Sequence, residues 1–239
     1  MALLEVCVDD AQGVLACVEG GVDRIELCSA LALGGLTPGI GLMRLAVQTN
    51  IPVFAMIRPR AGDFCFSDNE LSIMCDDIAA ALDAGVQGVV LGAATQRQEL
   101  DFKMLGKLTD AAGDLEKTLH RVIDTLHQPL KALEQTIDLG FDYVLSSGGQ
   151  PRVAQGVELL AKLNAEAQGR IRIMAGAGLT PSLVASIHRQ TGIDMFHASC
   201  RQAKSLAEPY RSLGFAGPAL AETDATLISQ YTEALALLS

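Results

Sequence analysis

Short apolar and β-branched runs recur along the chain at residues 3–8, 24–28, 53–57, 88–91, 117–120, 142–145, 171–174 and 193–197, and each is followed by a stretch of helical length and period. No Asn-Gly or Asp-Gly turn separates any two of them, which predicts parallel strands joined through helices rather than hairpins. The runs recur every 27 residues or so, about the roughly 30 that a strand-helix-strand unit takes. Eight such units in 239 residues predict an α/β fold, a single (β/α)8 TIM barrel formed by residues 1–239. The alternative is an open doubly wound sheet. Its glycine-rich fingerprint is missing, because Val8 runs into Asp9-Asp10-Ala11-Gln12-Gly13.

Helix starts fit the same division. Gly-Leu-Thr-Pro occurs at 35–38 and again at 178–181, which offers Thr37 and Thr180 as N-caps with Pro38 and Pro181 at the first helical position. Ser67-Asp68-Asn69-Glu70 reads as a capping box. Residues 223–238 are expected to form the last helix, reached by a long connection over 199–222.

In such a barrel the site lies at the carboxyl ends of the strands, so the residues that end each run carry the functional reading. The first two runs end with Glu5 and Cys7, and with Glu26 and Cys28. The third ends in Arg58-Pro59-Arg60 followed by Gly62-Asp63-Phe64, and the fifth in His120-Arg121 with Asp124 beyond. Ser146-Ser147-Gly148-Gly149, Gly176-Ala177-Gly178, and His197 with Ser199 close the last three, while the fourth offers only Gly92-Ala93-Ala94. Arg58 and Arg60 share parity on a stretch stiffened by Pro59, which suggests an anion clamp. The loop from Gly176 to Gly178 opens onto a helix N-terminus, where free N–H groups and the helix dipole favour phosphate or carboxylate. The arginines could instead pair with Glu5 or Glu26. His120 and His197, with Glu26 assisting and Asp124 orienting, suggest an acid/base set; either histidine alone would suit the core. Arg121 joins the arginines, histidines, Glu26 and Asp124 as a catalytic candidate, and Ser147, Gly148, Ser199 and Glu5 complete the candidate ligand contacts.

A formal charge of −10 argues against a nucleic-acid partner. The first residues carry no basic segment, and no apolar run approaches the roughly 20 residues of a membrane helix, so a cytoplasmic protein without a membrane partner is expected. The six cysteines have irregular gaps and no Cys-x-x-Cys pair, which predicts reduced thiols. The repeated Glu-x-Cys sets Cys7 and Cys28 at matching places on neighbouring strands about 4.8 Å apart. Two metal–sulfur bonds of roughly 2.3 Å would span that gap, and soft sulfur selects Cu(I). Ordinary core packing of two free cysteines is the alternative.

Taken in order, Leu4-Glu5-Val6-Cys7-Val8-Asp9, Asp23-Arg24-Ile25-Glu26-Leu27-Cys28, Gly34-Gly35-Leu36-Thr37-Pro38, Ile57-Arg58-Pro59-Arg60 with Gly62-Asp63-Phe64, His120-Arg121, and Met174-Ala175-Gly176-Ala177-Gly178 resemble the CutC copper-homeostasis family. The likeness runs from Leu4 to Ser199. It departs at Ile123, Ser146 and Gly39, where the family pattern has Phe, Thr and Ser. The resemblance implies a cytoplasmic TIM barrel that assembles as a homodimer or homotetramer, with Cys7 and Cys28 as Cu(I) thiolates. A two-thiolate site leaves the arginines, histidines and glutamates without a task, and clustered guanidiniums repel a cation. Two functions therefore stand side by side: copper homeostasis through Cu(I) binding, and a lyase or isomerase acting on a small anionic, possibly phosphorylated metabolite.

Overall fold

A computed structural model describes residues 2–215 and 220–238; positions 216–219 of the expected long connection lie outside the described residues. Eight parallel strands close into a barrel in chain order: β1 (Leu3–Val8), β2 (Arg24–Leu27), β3 (Val53–Met56), β4 (Gly88–Leu91), β5 (Glu116–Leu119), β6 (Tyr143–Ser146), β7 (Arg172–Ala175) and β8 (Met195–Ala198). This is the (β/α)8 TIM barrel that the sequence predicts, and every strand lies within two residues of its expected place. Helices α1 (Ala11–Gly20), α2 (Ile40–Ala46), α3 (Asp68–Ala84), α4 (Phe102–Ala112), α5 (Pro129–Asp138), α6 (Val157–Ala167), α7 (Pro181–Thr191) and α8 (Ala225–Ala236) follow the strands.

Alternation along each strand divides the core in two. Leu4, Val6 and Val8 of β1, with Ile25 and Leu27 of β2 and Val53 and Ala55 of β3, join the aliphatic layer under the helices. The intervening residues turn into the barrel, where Cys28, Phe54, Met56 and Val90 form one cluster and Leu145, Met174 and Met195 another. Apart from residues at the strand starts, such as the exposed Glu116 of β5, both faces of the barrel strands are therefore largely buried, as a parallel sheet covered by helices requires.

The helix starts follow the expected chemistry with one exception. Ser67 and Glu70 form a reciprocal capping box on α3. Thr180 sits at the N-cap of α7 with Pro181 next, although its hydroxyl bonds Ser182 rather than the helix backbone. Thr37 does not cap α2, which starts three residues later behind Gly39. Its hydroxyl instead accepts the backbone N–H of Arg58 at 3.0 Å, so it anchors the end of β3. Between β8 and α8, a two-stranded antiparallel ribbon pairs β9 (Arg201–Ala203) with β10 (Ala221–Thr223) beside the barrel rim.

Candidate functional site

The register of the first three neighbours fixes the interior. Glu5 lies level with Arg24 on β2 and with His197 on β8, and Cys7 lies level with Glu26. Near the amino ends of the strands the Arg24 guanidinium is held between two rings, 4.0 Å from the centroid of Phe54 and 4.2 Å from that of Tyr143. Its Nε donates to Glu5 Oε2 at 2.5 Å. The other Glu5 oxygen accepts from His197 Nδ1 at 2.7 Å, and His197 Nε2 lies 3.9 Å from Glu26 Oε2. Glu26 in turn receives the Cys28 thiol at 3.6 Å. Burial opposes the charge on Glu5, yet Arg24 and His197 outweigh it and hold this carboxyl below its ordinary range. Burial raises Glu26, and the Glu5 charge adds to it. Burial also disfavours a charged His197, but the Cys7 sulfur and the Glu26 and Glu5 carboxyls lift it well above its ordinary value. Glu26 and His197 thus lie next to each other as two buried acid/base groups whose charges interact.

Above this layer a cavity of about 700 Å³ opens at the carboxyl ends of the strands. Cys7, Glu26, Arg58, His120, Arg121, Gly178, His197 and Ser199 line it, drawn from six strands and the loops beyond them. Buried polar atoms collect here without partners. Among the described residues five such side-chain atoms are found, and Glu26 Oε1, Arg58 Nε, His120 Nε2 and Arg201 Nε belong to residues that line the cavity. Buried polar groups are normally satisfied, so this concentration makes the mouth the candidate ligand site.

The remaining expected site residues fall elsewhere. Arg60 does not converge with Arg58, since its guanidinium turns away to Glu70, Asp63 and the Cys65 carbonyl. Asp124 orients neither histidine. It receives Arg121 Nε at 2.8 Å, the Ser146 and Ser147 hydroxyls, and the backbone N–H groups of Ser147 and Gly149, so it builds the loop after β6. Ser147 and Gly148 belong to that loop. A Cβ on Gly148 would meet the Gly156 carbonyl oxygen at 2.0 Å, which explains the glycine by a close backbone approach. Glu5 stands behind His197, and Gly176 gives the His197 side chain room, 3.1 Å separating a would-be Cβ from its Cβ.

The two cysteines separate as well. Because β1 and β2 pair Cys7 with Glu26, Cys28 lies one inward step farther along, beside Gly35. Burial, then Glu26 and Cys7, push the Cys28 thiol well above its ordinary range, which disfavours the thiolate a metal needs. The three groups that do converge are Cys7, Glu26 and His197, one ligand atom of each lying within 4.8 Å of the others.

Phe64, Arg201 and Tyr231 also line the cavity and were not among the expected contacts. Arg201 follows directly on the polar end of β8, a basic residue in the position where the other strands carry site chemistry. Tyr231 comes from α8, where its hydroxyl bonds the Leu179 carbonyl at 2.6 Å, and no strand-end signal could point to it.

Polar groups from across the sequence, gathered at the carboxyl rim of a closed eight-stranded barrel, define a TIM-barrel protein with an open, polar mouth. The model of the CutC family matches residues 2–202. A CutC family protein of Sinorhizobium medicae is 47% identical over 231 residues, covering 95% of this chain and 93% of the relative. One from Caulobacter vibrioides is 44% identical over 239 residues, covering 99% and 98%. A crystal structure of a CutC protein from Streptococcus agalactiae, named for copper homeostasis, superposes with a TM-score of 0.80 at 31% identity, covering 83% of this chain and 99% of that one. The chain belongs to the CutC family. Among the described residues no helix is long and apolar enough to cross a membrane.

Proposed function

We propose that this protein is an enzyme of the lyase or isomerase type that takes a small anionic metabolite into the barrel mouth. One observation carries the reading: Arg58, only 5% exposed, lines the cavity with no carboxylate in ion-pair reach among the described residues and with its Nε unpartnered. An uncompensated buried charge costs several kcal/mol, and an anion from outside supplies the missing partner. Gly178 and Thr180, before α7, bring a helix N-terminus to the same cavity. Glu26 and His197, which face each other on the cavity wall, are the groups that would move protons on the ligand.

The test is thermal unfolding with inorganic phosphate and 2-phosphoglycolate. At about 100 times its dissociation constant a ligand adds about 2.7 kcal/mol, or roughly 6–10 °C for a chain of this size. The wild type should gain that and an Arg58→Met variant should not; equal gains in both would sink the anion site.

A second reading, Cu(I) binding in the cytoplasm, is supported by the convergence of Cys7, Glu26 and His197 and by the copper-homeostasis name of the Streptococcus relative. A thiolate with an imidazole suits a soft ion, although the carboxylate does not. Competition with a Cu(I) chelator distinguishes the two sulfurs. Cys7→Ser should weaken binding more than Cys28→Ser, and unchanged affinity in the double variant removes the copper role. Assembly as a homodimer or homotetramer is proposed with either reading, on the family resemblance.

A further inference from the structure

We propose that His120 and Arg58 form a two-donor seat for a ligand oxygen that gains negative charge in the reaction, so that the substrate is a carbonyl compound bound through its carbonyl oxygen; this rests on the mouth being an anion-binding enzyme site.

The tautomer of His120 follows from the backbone. The Val122 N–H donates to His120 Nδ1 at 3.1 Å, and a nitrogen that accepts carries no proton, so a neutral ring has its proton on Nε2. The ring is neutral, because burial and then the Arg58 charge press its pKa down to about 3. Nε2 is thus a buried N–H donor without a partner. Arg58 is fixed in a comparable way. Its Nη1 donates to the Leu33 and Gly35 carbonyls and its Nη2 to that of Gly62, and of the two N–H groups left over the one on Nε is buried without a partner. Both side chains rest on the Phe64 ring, His120 at 4.7 Å between centroids and the Arg58 Cζ at 5.0 Å from the centroid. Room for the imidazole comes from β4: a Cβ on Gly92 would lie 2.1 Å from His120 Cε1. The strand that ends without polar chemistry contributes the absence of a side chain.

A seat made of two donors takes an acceptor. As a base removes the proton from the carbon next to the carbonyl, the C–H electron pair becomes the new C=C bond. The C=O π pair moves onto oxygen, where the two N–H groups hold the charge. The proton goes to the base, the part the proposed function gives to Glu26. A neutral imidazole stabilises that oxygen as a hydrogen-bond donor and does not itself shuttle the proton.

The full-length protein is titrated with 2-phosphoglycolate, whose planar carboxylate mimics an enediolate, and with glycerol 3-phosphate, which carries the same phosphate on a tetrahedral alcohol. The wild type should prefer the former by about tenfold or more, the size of a charge-assisted hydrogen bond. His120→Gln keeps an N–H donor and should retain most of that preference, whereas His120→Phe should lose it. In the 15N spectrum of the wild type, His120 should show a bare Nδ1 and a protonated Nε2 whose signal moves on adding 2-phosphoglycolate. A protonated Nδ1, or a preference intact in His120→Phe, overturns the inference. Equal binding of the two compounds to the wild type overturns it while leaving the anion site standing; no binding of either takes both away.

Discussion

Two buried arginines, Arg24 and Arg58, sit at opposite ends of the barrel interior, each about 5% exposed. Arg24 at the floor is completed by the chain itself, with Glu5 on its Nε, two aromatic faces against its plane and the Met174 sulfur 3.7 Å from Nη2. Arg58 at the mouth has only carbonyl oxygens for its terminal nitrogens, and its Nε and its charge are left over. Folding balances the first charge internally and leaves the second without a counter-charge among the described residues. A buried cation by itself therefore does not mark a site, whereas a buried cation without a counter-charge on the wall of a cavity does.

The sharpest way to break this contrast is to remove the floor arginine. Arg24→Met leaves Glu5 buried with only His197 as a charged partner, and should cost about 3–5 kcal/mol in urea unfolding, the range for severing a buried pair. A loss under 1 kcal/mol would mean that the floor is not internally balanced. A smaller effect comes from acid. His120 has a folded pKa near 3, below its ordinary value, so the unfolded chain binds that proton first and stability falls as pH drops from about 6.5 toward 3. The imidazole accounts for on the order of a few kcal/mol of that fall, and urea midpoints of His120→Gln should be correspondingly less acid-sensitive than those of the wild type. The smallest effect belongs to Arg60, whose partners are exposed or half-buried. Arg60→Met should shift stability by no more than about 1 kcal/mol and leave the phosphate-induced thermal shift intact. A lost shift would return Arg60 to the clamp.

Fold and rim were largely legible in the sequence, because both depend on local pattern. Eight short runs at a steady spacing, with no glycine-rich fingerprint after the first, favoured a barrel over an open sheet, and strand-end position alone predicted that Glu26, Arg58, His120 and His197 would share a mouth. Properties that depend on register or on loop direction were not legible. The pairing of Cys7 with Glu26 is a matter of how neighbouring strands are staggered, and two identical Glu-x-Cys words carry no trace of it. Arg60 shares the parity of Arg58, but β3 ends at Met56, so strand alternation no longer governs either residue, and Glu70 of α3 captures the Arg60 side chain. Asp124 stands four residues from His120 and looked like its partner, until the loop after β6 brought hydroxyl and N–H donors to it. Tyr231 reaches the cavity from α8, far from any strand end, a tertiary event with no local signature.

The stacked floor has a consequence for traffic. With Phe54, Arg24 and Tyr143 plugging the lower end, the interior is a well, and whatever enters must leave by the same doorway. Cys200 and Arg201, on the threshold, join that doorway to the ribbon of β9 and β10, so the wall of the only described way in is made partly by the connection that follows the last strand.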